Sequence, residues 1–145
     1  MTAKELTLAA EDTEDLEIVS ARLQDAVVRV KDLVWLPKSR RFAGLFNRFK
    51  WEEPKKRDLR VRARLYFDDV ISVKSINLRR DVPDGVLSLL AIRFTPNGEG
   101  DPSGTVALLF AGGAEIRLDV ESINAGLTDV SGDWAALGRP DHDRL

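Results

Sequence analysis

The stretch at residues 59–67, LRVRARLYF, alternates between two kinds of side chain without interruption. Successive side chains of an extended strand point to opposite faces, so this stretch predicts a strand with one apolar and one basic face. The apolar face carries Leu59, Val61, Ala63, Leu65 and Phe67, and the other carries Arg60, Arg62, Arg64 and Tyr66. Burying four large apolar side chains contributes roughly 6–12 kcal/mol, whereas ordering the backbone costs about 1–2 kcal/mol per residue. Such a strand requires neighbours, and the rest of the chain is expected to supply them.

Length and composition are those of one globular domain. The chain has 145 residues, of which 43% are hydrophobic and 32% charged, values typical of an ordered protein with its own core. It contains no cysteine, which excludes disulfides, zinc–thiolate sites and thiol nucleophiles and fits a reducing cytoplasm. The N-terminus does not read as a secretory signal, and the apolar runs are too short to span a bilayer. We therefore predict a soluble cytoplasmic protein, one domain over residues 1–145, with no membrane partner.

The hydrophobic period predicts one helix followed by a sheet. Leu16, Val19, Leu23 and Ala26 recur at spacings of three and four, which predicts a helix over 12–25 with Asp12 or Thr13 as N-cap. The strands predicted from alternation and turn residues lie at 4–10, 26–36, 42–51, 59–67, 70–76, 86–94, 105–110, 114–118 and 120–130, the first and last being the least regular. The apolar residues of 120–130 also fit a helix, and Gly126 and Thr128 favour the strand. The predicted fold class is α+β: a mainly antiparallel sheet or partly open barrel of about seven or eight strands, with one N-terminal helix packed on it.

The two halves of the chain share an outline that raises the hypothesis of an internal duplication. VKSIN at 73–77 is similar to VESIN at 120–124, and a repeated unit over about 27–78 and 86–130 would give a pseudo-twofold sheet or barrel. A second alignment, of 70–73 with 120–123, differs from the first by three residues, and an odd shift exchanges the faces of a strand. After the second half, Asp133 is expected to cap a helical turn and residues 138–145 to form a flexible tail.

Several stretches resemble a family of short alphaproteobacterial proteins known only as a domain of unknown function. The resemblance is carried by LQDAVV at 23–28, by Leu36-Pro37 with RRF at 40–42, by NRF at 47–49 with Trp51-Glu52, and by LTDVS at 127–131 with Trp134. It covers nearly the whole chain. The resemblance implies a bacterial one-domain protein, and it carries no activity, ligand or catalytic residue that could be transferred.

The sequence offers few groups for catalysis or metal binding. The only histidine is His142, near the C-terminus, so a triad with a positioned imidazole and a two-histidine metal site are both excluded. Five aspartates could converge if the halves are symmetric, forming a hydrolase dyad or an oxygen-ligand site for magnesium or calcium: Asp68, Asp69, Asp119, Asp129 and Asp133. Turn and cap roles explain each of them separately. We therefore predict no catalytic residue, no metal site and no cofactor.

The distribution of charge is the main functional signal. Net charge is −2, but residues 38–64 hold 11 of the 22 Lys and Arg with only three acids, so this segment carries +8 and the remainder −10. Alternate residues of a strand stand about 6.5–7 Å apart, a spacing at which the strand arginines could follow phosphates or carboxylates. Aromatic residues are interleaved nearby, as in sheet proteins that bind single-stranded RNA or DNA. The predicted binding residues are Arg48, Lys50, Trp51, Arg60, Arg62, Arg64 and Tyr66.

Two functions from different classes follow. The first is a non-enzymatic binding or interaction protein whose basic, aromatic sheet face and 48–58 loop meet an anionic or protein partner, either single-stranded nucleic acid or a protein that contacts Trp51. Homo-oligomerisation through an open strand edge is a further expectation. The alternative is an enzyme or small-ligand-binding protein with a carboxylate and arginine site between the two halves. A simpler interpretation is that Arg60, Arg62 and Arg64 pair with the protein's own acids across the strands.

Overall fold

A computed structural model of the chain describes residues 6–53, 55 and 59–130. Within these residues nine strands and one α-helix follow one another along the chain. Their bounds are β1 (Thr7–Ala10), α1 (Thr13–Arg22), β2 (Val27–Leu36), β3 (Arg41–Phe49), β4 (Arg60–Phe67), β5 (Val70–Ile76), β6 (Val86–Pro96), β7 (Gly104–Phe110), β8 (Glu115–Val120) and β9 (Ala125–Asp129). No helix in this part of the chain is long and apolar enough to cross a membrane. The predictions at Asp133 and at 138–145 lie outside the described residues.

The strands form one antiparallel sheet in the order β1-β9-β4-β3-β2-β6-β7-β8-β5, with β1 and β5 at its two edges. The predicted α+β class and the antiparallel sheet are confirmed, but the predicted number of seven or eight strands was too low. Both irregular stretches contribute a strand of their own. The N-terminal one is β1, which pairs with β9. The stretch at 120–130 is interrupted by a turn, after which β9 pairs with β4.

The helix begins where its capping chemistry predicts. The Oδ1 atom of Asp12 accepts a hydrogen bond from the backbone N–H of Asp15 at 2.8 Å, so Asp12 is the N-cap. The helix ends at Arg22, three residues earlier than predicted. Its apolar stripe is buried as expected, and the Ser20 hydroxyl accepts a hydrogen bond from the backbone N–H of Ile92 at 2.9 Å. These contacts fix the helix against β6.

The strand at 59–67 supplies the centre of the core. Val61, Ala63, Leu65 and Phe67 are buried, which confirms the predicted apolar face of β4. Leu59 precedes the strand and is 54% exposed, so the prediction that it joins this face was wrong. The core continues through inward-facing residues of β7 and β8 and through the apolar stripe of α1.

The sheet is symmetric in its connectivity about the β2–β6 pair. From β2 outwards the order is β3, β4, β9, and from β6 outwards it is β7, β8, β5, so the fourth strand of each half lies in the other half of the sheet; β1, beyond β9, has no counterpart among the described strands. The similar segments do not occupy equivalent places, since 73–77 covers the end of β5 and 120–124 covers the turn before β9. The internal duplication stays a prediction.

An irregularity in β2 shapes the surface next to β4. Val28 pairs with Phe46 and Leu33 pairs with Gly44, so four residues of β2 lie opposite the single residue Leu45 of β3. In this bulge the backbone turns towards other partners: the N–H groups of Val30 and Lys31 donate to the carbonyls of Gly85 and Pro83, each at 2.9 Å. The bulge therefore opens a space between β2 and β3.

Candidate anion-binding site on the arginine face

The three strand arginines lie on the side of β4 that faces away from the core. The register places Arg60 beside Phe49, Arg62 beside Asn47 and Arg64 beside Leu45 of β3. In β9, the other neighbour of β4 in the sheet, Thr128 lies beside Arg64. We call this surface the arginine face; it is the non-core side of β4 with the adjoining residues of β3 and β9.

The aromatic rings of the arginine face are covered by guanidinium groups. The Arg60 guanidinium lies over the Phe49 ring, 4.9 Å from its centroid, and that of Arg41 lies over Tyr66 at 4.5 Å. Each arrangement is a cation–π contact. Tyr66 in turn packs over the backbone of Gly126, where a Cβ atom would come within 2.4 Å of the ring. The rings are therefore supports for cations and are not open platforms for stacking a base.

A cavity of about 390 Å³ opens beside the arginine face at the bulge of β2, and we call it the bulge cavity. Its polar lining comes from three strands: Arg29, Lys31, Asp32, Asn47, Arg60 and Arg62. Four of these side chains are cations and one is a carboxylate. The cavity can therefore hold an anion on guanidinium and ammonium donors that converge from β2 and β4.

Three cations in or beside the cavity form no ion pair with a described carboxylate, although Asp32 also lines it. No hydrogen bond or ion pair connects Arg29, Arg60 or Arg64 to a carboxylate of the described residues. Lys31 does have a partner, because its ammonium lies 2.9 Å from the Asp84 carboxylate. Arg29 and Arg60 are exposed and Arg64 is half-buried. Arg60 and Arg64 of the arginine face, and Arg29 beside it, thus carry positive charge that no ion pair among the described residues neutralises.

Arg48, also predicted to bind a partner, lies on the opposite side of β3 and is completely buried. Its guanidinium donates two hydrogen bonds to Asp129, both at 2.8 Å, and two to Glu52 at 2.7 and 2.9 Å. It also donates to the carbonyl of Phe49 at 2.9 Å, while Asp129 accepts the backbone N–H of Leu6 at 3.0 Å. This Arg48 network joins β3 to β9, to the start of the described chain and to the turn after β3.

The charges of the Arg48 network stabilise one another. Burial acts to lower the pKa of Arg48, but the hydrogen bonds to Asp129 and Glu52 outweigh it and hold that pKa above the ordinary arginine value. Hydrogen bonds from Arg48 lower the pKa of Glu52, although burial opposes the change. Arg48 therefore stays charged and fully hydrogen-bonded, and it has no surface to offer to a partner.

The other predicted residues from the same segment are also engaged within the protein. Lys50 is 6% exposed, and its ammonium lies 3.6 Å from the Glu53 carboxylate. The Trp51 indole N–H donates to the carbonyl of Gln24 at 2.9 Å, and its ring packs against Phe49 at 5.3 Å. The bond to Gln24 connects the turn after β3 to the residues that follow α1. Trp51 is also half-buried, so it is not a freely exposed anchor for a partner.

The four described aspartates that could have formed a joint site have separate partners. Asp68 accepts two hydrogen bonds from Arg41 at 2.7 and 2.9 Å, which raise the pKa of Arg41. Asp69 accepts from Asn124, Asp119 accepts from Ser72, and Asp129 belongs to the Arg48 network. Asp133 and His142 lie outside the described residues. Within the described ranges no group of three or more histidine, cysteine, aspartate or glutamate side chains could hold a metal ion.

The sequence reasoning missed two cations of the bulge cavity, Arg29 and Lys31. The structure brings them next to Arg60 and Arg62 only because β2 bulges opposite Leu45. A signal was present in the sequence, since Val28 and Val30 alternate with polar residues while residues 33–36 continue as an unbroken apolar run. Such a break in alternation is typical of a bulge. Of the seven predicted residues, the cavity brings together Arg60 and Arg62, and its lining does not include Arg48, Lys50, Trp51, Arg64 or Tyr66.

Comparison with known proteins gives one match. A family model described as "Protein of unknown function (DUF2948)" matches residues 6–142, which is nearly the whole chain. No curated protein and no solved structure matches the chain. The match confirms the sequence resemblance to a domain of unknown function and assigns no activity to the arginine face. The chain belongs to the DUF2948 family of proteins of unknown function.

Proposed function

We propose that this protein is a non-enzymatic binding module that holds an anionic segment of a partner on the arginine face and in the bulge cavity. The observation that carries the proposal is the concentration of cations without carboxylate partners at one place. Arg29 and Arg60 line the cavity and Arg64 lies beside its wall residue Leu45, and none of the three forms a hydrogen bond or ion pair with a described carboxylate, in a chain whose net charge is −2.

The contrast with other arginines of the same segment supports this proposal. Arg40 pairs with Glu121, Arg41 with Asp68 and Arg48 with Asp129 and Glu52. Acids are therefore available near this segment, and they pair with these three arginines. Like charges held together on one face repel one another, and an anionic partner would relieve this repulsion. The arginine face is suited to that role.

The covered aromatic rings favour contacts to the charged groups of the partner over contacts to bases. Single-strand binders combine cations on the backbone with rings beneath the bases, whereas Phe49 and Tyr66 already lie beneath Arg60 and Arg41. Guanidinium groups form forked hydrogen bonds with phosphates and carboxylates alike. We therefore expect binding that depends on charge and spacing, with little preference for base sequence.

The proposal is tested by titrating the full chain against two fluorescently labelled probes, oligo(dT) and poly-glutamate, at about 50 mM salt, where counterion release favours binding most. We expect wild-type protein to bind at least one probe and the double variant Arg60→Glu/Arg64→Glu to lose that binding. The matched control is Lys74→Glu/Arg93→Glu, which reverses two exposed strand cations away from the cavity. This control has the same net charge as the test variant, so it should retain most of the affinity.

Two results would contradict the proposal. One is the absence of binding to either probe at this salt concentration. The other is an equal loss of affinity in the test and control variants, since that would show that net charge alone determines binding. Far-ultraviolet circular dichroism of both variants checks that the sheet is retained.

A further inference from the structure

The sheet has an unpaired gap between the second half of β2 and the edge strand β5. Residues 33–36 of β2 pair only with β3, and β5 pairs only with β8. The gap is closed at both ends by backbone hydrogen bonds. At one end the N–H of Val70 donates to the carbonyl of Arg40 at 3.0 Å, and at the other the N–H of Lys31 donates to the carbonyl of Pro83 at 2.9 Å. The result is a slot of limited length.

A cavity of about 380 Å³ occupies this slot, and its wall is mainly apolar. Leu33 and Trp35 line it from β2, Val73 from β5, and Leu78 from the loop that follows. These four side chains pack against the core but are only partly buried. Covering their exposed surface would be favourable, and the volume is within the range of about 300–1,000 Å³ that small-molecule sites have.

One charged group at the slot cavity has no acid beside it. Arg80 lines the cavity and donates a hydrogen bond to the Ser75 hydroxyl at 3.0 Å, but no described carboxylate pairs with it. Its neighbour Arg79 differs, because two of its guanidinium nitrogens, Nε and Nη2, donate to the Asp81 carboxylate, each at 3.2 Å. Lys31, the other cation of the lining, pairs with Asp84. The Arg80 guanidinium is therefore a polar group available to a ligand in an otherwise apolar site.

We propose that the slot cavity binds a small amphipathic carboxylate, with its apolar body against Leu33, Trp35, Val73 and Leu78 and its carboxylate on Arg80. Charge complementarity selects this class, since the apolar wall recognises the body and the guanidinium recognises an anion in a forked geometry. The site is separate from the bulge cavity, because the two cavities share only Lys31 among their lining residues. This proposal does not depend on the proposed function of the arginine face.

The test uses octanoate and 1-octanol, two probes of equal chain length that differ in the carboxylate, added to the ¹⁵N-labelled full chain. We expect octanoate to shift the indole N–H of Trp35 and the Nε–H of Arg80 saturably, and to bind about tenfold more tightly than octanol. Arg80→Gln should reduce the octanoate affinity to that of octanol. Arg79→Gln and Arg60→Gln/Arg64→Gln should leave both affinities unchanged, the latter pair showing that the arginine face is not involved.

A second variant tests the cavity itself. Val73→Trp fills the space, so it should abolish binding of both probes, and its NMR spectrum reports whether it folds; if it does not fold, Leu78→Trp replaces it. The proposal would be overturned by shifts outside the slot, by equal affinities for octanoate and octanol in wild-type protein, or by undiminished binding to a folded filled variant. A concentration-dependent dimer that covers the slot and blocks octanoate would also overturn it.

Discussion

Arg48 of β3 and Arg64 of β4 lie on adjacent strands but have opposite environments. Arg48 is completely buried and forms two hydrogen bonds with each of two carboxylates. Arg64 is partly exposed on the other side of the sheet and pairs with no carboxylate of the described residues. Both belong to the same +8 segment of the sequence. A high local density of arginine therefore combines two roles, one in the fold and one at the surface.

The position of each arginine in the alternation of its strand determines whether its side chain lies on the core side or on the outer side. On β3, Phe42, Phe46 and Arg48 share the core side, whereas Arg41 and Asn47 share the arginine face. On β4 the arginines alternate strictly with the buried residues, so all three lie on the outer side. An arginine on the core side must pair with buried carboxylates, because burying an unpaired charge costs a large free energy. One on the outer side has no such requirement.

The largest expected effect comes from removing the buried guanidinium. Arg48→Met should lower the free energy of unfolding by roughly 3–5 kcal/mol, because Asp129 would remain buried without its cation. Urea unfolding followed by tryptophan fluorescence measures the loss. The double variant Arg48→Met/Asp129→Leu should recover part of it, since an apolar replacement of both partners avoids the isolated charge. A loss below about 1 kcal/mol for the single variant would contradict the structural role of the network.

An intermediate effect is expected from pH. Hydrogen bonds from Arg48 lower the pKa of Glu52 in the folded protein, so the folded state binds this proton less readily than the unfolded state. The resulting stabilisation is complete above the unfolded pKa of about 4.3 and is lost as the pH falls through the lower folded pKa. The difference in unfolding free energy between wild type and Glu52→Gln should therefore shrink between pH 5 and pH 3 (~2 pH units). A constant difference across this range would show that Glu52 is not charge-paired with Arg48.

The smallest effect on stability is expected at the arginine face. Arg60→Gln/Arg64→Gln should change the free energy of unfolding by no more than about 0.5 kcal/mol per substitution, because the lost cation–π contact with Phe49 is offset by reduced repulsion between the arginines. The same urea titration used for Arg48→Met measures it. A loss comparable to that of Arg48→Met would place these arginines in the fold instead of at a binding surface.

The sequence was most informative where alternation was strict. In β4 each apolar residue from Val61 to Phe67 alternates with a polar one, so the strand, its core face and its arginine face could all be predicted. In β3 both faces carry apolar residues, since Ala43 and Leu45 lie opposite in parity to Phe42 and Phe46. The alternation of residues in β3 therefore could not show which face is buried, or that Arg48 lies on it. Its partner Asp129 is 81 residues away, and only the pairing of β9 with β4 brings the two together.

Two further features depended on contacts between distant strands. Gly126 favoured a strand over a helix in the sequence, but only the structure shows that its missing side chain allows the Tyr66 ring to lie against β9. The bulge cavity required β2 to separate from β3 opposite Leu45. The residues that line it are common surface residues, and nothing in their local sequence identifies them as neighbours. The candidate site was therefore predicted only for the part contributed by β4.

The central claim is that Arg60 and Arg64 contact anionic groups of a partner, and the salt dependence of binding tests it most directly. The logarithm of the affinity for oligo(dT) is measured against the logarithm of the salt concentration for wild type, for Arg60→Gln/Arg64→Gln and for the control Lys74→Gln/Arg93→Gln. Each phosphate contact to a single strand contributes about 0.7 to the slope, so the test variant should lose about 1.4 while the control keeps the wild-type slope. Equal slopes for wild type and the test variant would contradict the claim.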